Sequence, residues 1–269
     1  VQSLSSDQII ELTTQQYAVL GTKQLAALTS AQLGVLELID LVALRSAQIA
    51  SLGTDQIRAL TPDRIAVLTT GQAQALTSAQ LLALASDQLQ ALSTDDLAAL
   101  RTAQIAALAT NQLNALQDFQ LQSFGSVQLG ALSSTQLQAL GSDQIIQLTT
   151  QQFGLLSTAQ IALLTTAQLG AIELEDLAAL KTAQVLALGS DQIQALTLDR
   201  VAALTTLQVQ ALASNQLAAL STDQFQALGT DALQSLRTAQ INALGTSQLA
   251  ALTPDQLQHL TSDQINALT

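Results

Sequence analysis

Eight residues, repeated almost without pause, leave this chain very few ways to fold. Thr29-Ser30-Ala31-Gln32-Leu33-Gly34-Val35-Leu36 is one copy, and a frame opened at Ser5 fits 33 octads between residues 5 and 268. The consensus runs Thr/Ser/Gly, Ser/Thr, variable, Gln, Leu/Ile, variable, Ala, Leu. A repeat array is one quasi-linear body in which each unit touches only its neighbours, so the usual reading of 269 residues as one or two globular domains does not apply.

Position 8 is Leu in 31 of the 33 octads, with Phe124 and Ile172 as the exceptions. Position 5 is apolar throughout, from Ile9 through Tyr17, Phe153 and Phe225 to Ile265. Residues three apart share one face of a helix, and Ala at position 7 adds a small neighbour. One continuous helix is excluded by arithmetic: eight residues turn the chain by ~800°, ~80° beyond two full turns, so the apolar stripe would wind round the rod. No partner helix follows such a stripe, unlike a seven- or eleven-residue repeat.

The octad instead carries its own start and stop. Thr-x-x-Gln at positions 1 to 4 has the spacing of a capping box. Thr61-Pro62 and Thr253-Pro254 place Pro where a first helical residue belongs. Gly at position 1, as at Gly21, Gly53, Gly141, Gly189 and Gly245, is expected to end the preceding helix in a left-handed conformation. Ser or Thr at position 2 is an equally good cap. Each octad then reads as a helix of ~5–7 residues followed by a tight corner. So short a helix does not stand alone and needs its neighbours stacked against it. A β-solenoid is the rival, but Ala, Leu and Gln favour helix, and β-branched residues gather at the corner and position 5. The expected fold is all-α: a solenoid of very short helices, one per octad, over residues 1–269.

Longer periods run through the array. Glu37 and Glu173, Asp40 and Asp176, Arg45 and Lys181, Arg64 and Arg200, Arg101 and Arg237 are each 17 octads apart. The solenoid reads as internally duplicated, about 1–136 and 137–269. At position 3, Asp55 and Asp87, Asp63 and Asp95, the series Asp191, Asp223 and Asp255, and the series Asp199, Asp231 and Asp263 recur every fourth octad. That recurrence suggests four octads per coil, a square with one helix on each side.

Composition closes off several functions. Hydrophobic residues make up 48% but aromatics only 2%, so the core is aliphatic. A net charge of −12 with few Lys and Arg argues against nucleic acid and anionic membrane surfaces. No apolar run reaches the length of a transmembrane span, so no membrane insertion is expected. There is no Cys, which removes disulfides, thiolate catalysis and Cys-based metal sites. There is no Met and no visible signal peptide, and Val1 reads as the start of an excised or processed segment.

The octads Thr165-Thr166-Ala167-Gln168-Leu169 and Ser157-Thr158-Ala159-Gln160-Ile161 resemble short-period tracts of large secreted bacterial surface and adhesin-like proteins. The similarity covers the whole chain. It implies an extracellular or cell-surface stalk or spacer, and carries no active site with it.

Candidate sites each have a plain structural reading. Gln fills position 4 in 27 of 33 octads, expected to cap and to form a hydrogen-bonded ladder between coils; a glycan-binding Gln row is the sharper alternative. The Asp rows suit helix N-termini, with weak calcium or mineral binding as their alternative. Asp40 with Arg45, Asp96 with Arg101, and Asp176 with Lys181 are expected to make charge contacts across a corner. Asp40, Arg64, Asp176 and Arg200 stand where Gln is usual, marking a local defect or a lateral contact. His259, the one His, lacks a nucleophile partner. No catalytic triad, paired-acid or phosphate-loop constellation stands out, so no catalytic residue, cofactor or metal is expected and the chain is not an enzyme. The function that follows is a structural repeat scaffold, a spacer, stalk or filament segment open to end-to-end self-association. The alternative is a surface-binding module for glycan, ice, mineral or calcium through Thr, Gln and Asp rows.

Overall fold

The computed structural model describes residues 1–268 and contains 33 short helices, one per octad. Among the described residues there is no strand. The helices run from four residues, as in Ser30–Leu33, to six, as in Ser78–Ala83.

Position 1 is the cap. Thr77 is extended at φ −72° and ψ 158°; its Oγ1 accepts from Gln80 N at 3.2 Å, and its own N–H donates to Gln80 Oε1 at 2.7 Å. Two of the donors that every helix start leaves orphaned are thereby satisfied reciprocally. Pro62 and Pro254 open their helices as expected. The left-handed glycines do not occur: Gly21, Gly53, Gly141, Gly189 and Gly245 have φ between −67° and −74°. The reason lies one residue earlier. Position 8 leaves the helix extended, as Leu84 does at φ −62° and ψ 135°, and the next cap is extended too. Two extended residues in succession turn the corner, so no residue has to enter the left-handed region.

Positions 5 and 8 form the core. Leu81 and Ile49 are fully buried, and Leu84 and Leu52 nearly so. Tyr17, Phe153 and Phe225 at position 5 and Phe124 at position 8 are buried in the same way. Burial of an aliphatic side chain stabilises by about 1.5–3 kcal/mol, and each octad supplies two, which a helix of under two turns cannot match alone.

Facing helices lie three octads apart, not four. Ser46–Ala50 packs on Thr70–Ala75, Thr102–Ala107 on Ser126–Ala131, and Thr182–Leu186 on Thr206–Ala211. Ser46 Oγ donates to Gly71 O at 3.0 Å and Ser78 Oγ to Ala103 O at 3.1 Å along the same pairing. The fourth neighbour is reached by the Gln side chains, across 28 to 31 residues. One coil therefore holds between three and four octads, and each corner turns more sharply than the right angle of the expected square. The four-octad recurrence of the Asp residues follows the Gln bonds instead of the helix faces.

The chain divides into two compact units, Val1–Leu140 and Gly141–Thr269. Each is a stack of octads built by the same rules.

Candidate functional site

The polar groups of the octad converge at position 4, and their use decides what is left for a ligand. Gln72 Oε1 accepts from Thr69 N at 2.8 Å, while its Nε2 donates to Leu41 O at 2.8 Å and Leu44 O at 2.7 Å, four octads back. Gln208 repeats this on Thr205, Leu177 and Leu180. One amide thus joins the start of its own helix to the end of another. Leu44 and Leu180 carbonyls lie past the last helical turn, where no backbone donor reaches them. From Gln32 to Gln264 most of these side chains are buried. The Asp rows sit in the first turn, as Asp55, Asp87, Asp191 and Asp223 do, where the helix dipole favours them. Among the described residues no three Asp, Glu, His or Cys side chains stand together as a metal site.

Six octads lack the position-4 Gln. Arg64 keeps the donor half of its role, with Nη2 donating to Leu36 O at 3.0 Å and Nη1 to Thr61 Oγ1 at 3.1 Å. Arg200 does the same on Ile172 O at 2.9 Å and Thr197 Oγ1 at 3.1 Å. Asp96 keeps the other half, accepting from Ser93 N and Oγ. Asp40 and Asp176 do neither: each buried carboxylate accepts a hydroxyl from another octad, Thr14 Oγ1 at 2.9 Å and Thr150 Oγ1 at 2.6 Å. Ala232 supplies neither half.

The charge contacts expected across corners do not form. Among the described residues, the Lys or Arg within 4.0 Å of a carboxylate is Arg58, 3.5 Å from Asp55, and His259 Nδ1 lies 3.5 Å from Asp255 Oδ1. Position 4 points inward, so Asp40, Asp96 and Asp176 meet hydroxyls, whereas position 1 lies outside and Lys181 Nζ donates to Gly154 O at 2.6 Å. His259 turns its Nδ1 to Asp255 O at 2.7 Å. Tyr17 donates its hydroxyl to Ile9 O inside the core. Burial pushes the phenol pKa up to about 12, with the Asp40 and Glu37 carboxylates adding to the shift.

One locality gathers several departures from the consensus. Glu-Leu opens an octad only at Glu37-Leu38 and Glu173-Leu174. Neither Glu makes a side-chain cap bond, and Asp40 and Asp176 have turned away from the cap, so these two helices lose both halves of the box. Beside Glu173 lies an open indentation of about 440 Å³, lined by Ile146, Leu174, Glu173, Glu175, Asp199 and Arg200 among others. Along the sequence Glu37 answers Glu173 and Arg64 answers Arg200; that the second set borders one hollow is visible only in three dimensions.

The model of the ALTTAQ repeat matches residues 33–70, 91–126, 119–150, 169–206, 201–238 and 235–269, well over half of the chain. The chain belongs to the ALTTAQ repeat family. Those six letters are positions 7, 8, 1, 2, 3 and 4 of the octad, approached in Ala203-Leu204-Thr205-Thr206-Leu207-Gln208. An ALTTAQ unit so written spans a corner: an apolar helix end, then the capping box that begins the next helix. No curated protein matches the chain. No helix among the described residues is long and apolar enough to cross a membrane.

Proposed function

We propose that this ALTTAQ repeat array is a non-catalytic structural scaffold, a spacer, stalk or filament segment of a secreted or cell-surface protein. The observation that carries the reading is where the buried polar groups go. Gln after Gln donates to carbonyls four octads back and accepts at its own cap, so the repeated chemistry serves stacking. A side chain already holding three backbone groups is not available to bind or activate a substrate. Protease treatment of intact source cells should release the array. Recovery only after lysis would overturn the surface assignment while leaving the scaffold role intact.

The stacking rule is open at both ends. Gln8, Gln16 and Gln24 accept at their caps, but no octad of this sequence stands four places before them. At the other end Leu257 and Ile265, whose counterparts are buried elsewhere, are 49% and 44% exposed. Further octads, of the same chain or of a second copy, would continue the ladder there. Light scattering over a concentration series should show end-to-end association of the 269-residue chain. A monomer at every concentration would count against it.

A further inference from the structure

The octads opened by Glu37-Leu38 and Glu173-Leu174 lose both halves of the capping box, as those opened by Thr61, Thr197 and Gly229 do, and they alone put an acid at position 1. Both octads exchange a capping Thr or Ser for Glu and expose a leucine where the consensus is Ser or Thr. A lost cap weakens a helix that is already marginal. Places where a chain breaks its own local rule without a packing gain are where function is expected. Here Glu stands at position 1 twice, 17 octads apart, with the same neighbours. Ile10 and Leu38 are 39% and 43% exposed in the first unit, and Ile146 and Leu174 are 38% and 42% exposed in the second. The guanidiniums of Arg64 and Arg200 are tied to the Leu36 and Ile172 carbonyls in the same way.

We propose that the indentation beside Glu173, and the equivalent locality at Glu37, is a docking site for a partner polypeptide segment in which a Lys or Arg stands beside a bulky apolar side chain. Ile146 and Leu174 offer the apolar contact. Glu173, Glu175 and Asp199 surround it with three carboxylates against the single Arg200. The first unit has Glu37 and Asp63 against Arg64, with Ile39 in place of the third acid, so it is the weaker cation site and the more apolar one. A second copy of this chain is a poor occupant, since it has only eight Lys and Arg and two of these are Arg64 and Arg200. The site goes beyond the scaffold reading and does not depend on it, because a spacer needs no such locality.

The test uses the full chain and a dye-labelled octapeptide of alternating Leu and Lys, read by fluorescence anisotropy. Glu37, Asp63, Glu173 and Asp199 are changed together to Lys in one variant. Asp95, Asp191, Asp223 and Asp231, exposed acids elsewhere on the array, are changed to Lys in a control with the same net charge. Lys already occupies position 1 at Lys181 and position 3 at Lys23, so both variants keep tolerated residues, and circular dichroism verifies folding. The site variant should lose about tenfold or more in affinity and the control about twofold or less, since only local charge pairing separates them. Leu38→Thr with Leu174→Thr, which restores the consensus, should weaken binding without lowering Tm. Equal loss in the two charge variants, or equal binding of the same peptide with Glu in place of Lys, would overturn the proposal.

Discussion

The single most consequential atom group in the array is the carboxamide at position 4. It needs one acceptor and two donors held on a two-carbon stem, and among the side chains only Gln has that set at that length. Arg64 and Arg200 show which half matters between coils: a donor to the carbonyl 28 residues back. Gln80 is nearly fully buried, with Nε2 on Ile49 O and Leu52 O. Gln80→Glu would bring a carboxylate against those two carbonyls and should destabilise by on the order of 3 kcal/mol at neutral pH. Gln80→Arg keeps a donor and should cost about 1 kcal/mol. Urea midpoints of the two variants give the order, and a Glu variant as stable as the Arg one would refute it. Tyr17 makes a second prediction at this scale. Its pKa is raised in the folded state from 10 to about 12, first by burial and then by Asp40 and Glu37. The unfolded phenol therefore ionises first, so stability is whole below pH 10 and falls as pH rises towards 12, by about 2–3 kcal/mol at most. Tyr17→Phe should remove that alkaline loss, as Phe153 is buried at the same octad position 17 octads further on. This is the only Tyr in the chain, so the onset of tyrosinate absorbance against helix loss measures it directly.

A helix of about five residues has almost no stability of its own, so each element depends on its two ends and its one apolar face. The cap is built from position 1 and Gln, and the exit from an extended Leu; together they make consecutive helices possible with no loop between them. This is also why the octad tolerates Gly, Ala, Arg or Lys at position 1: Gln accepts the cap N–H whatever side chain stands there, as at Gly53, Ala85, Arg101 and Lys181. The helices starting at Leu38, Pro62, Leu174, Leu198 and Thr230, where position 4 is Asp, Arg or Ala, are the exceptions, with neither half of the box. Glu173→Thr restores a side-chain cap and should raise stability by about 0.5–1 kcal/mol. Differential scanning calorimetry checks it, and an unchanged or lower Tm would mean that Glu173 already has a structural role.

At the scale of the molecule, each octad is braced by neighbours three and four places away and by nothing more distant in kind. Side-chain bonds between coils span 25 to 31 residues. Stability in such an array is a sum of unit and interface terms. Removing one whole octad, Thr77 through Leu84, should leave helix content per residue unchanged, because every later octad finds a chemically equivalent partner. Circular dichroism and a melt of the shortened chain test this; collapse of the helical signal would show that particular octads, not the repeat, hold the stack. For the same reason unfolding should be broader than two-state, with a calorimetric enthalpy above the van 't Hoff value.

The octad by itself determined that the helices are short, that Gln caps and bridges coils, and that Leu and Ile fill the core. All of these are local consequences of spacing and of donor and acceptor chemistry, and they are written in nearly every copy. The coil register was decided only in three dimensions. In a near-perfect repeat, pairing with the third or the fourth neighbour presents the same side chains, so sequence cannot choose. The angle of the extended Leu–cap corner chooses, and it puts helix faces three octads apart while the Gln arm spans four. The same holds for the acids at position 4. Their spacing to Arg45, Arg101 and Lys181 along the chain suggested ion pairs, but position 4 faces inward and position 1 outward, so Thr14, Ser93 and Thr150 hydroxyls took them instead. The hollow beside Glu173 is likewise tertiary. Ile146, Leu174 and Asp199 come from three different octads and share a border only because the coils stack.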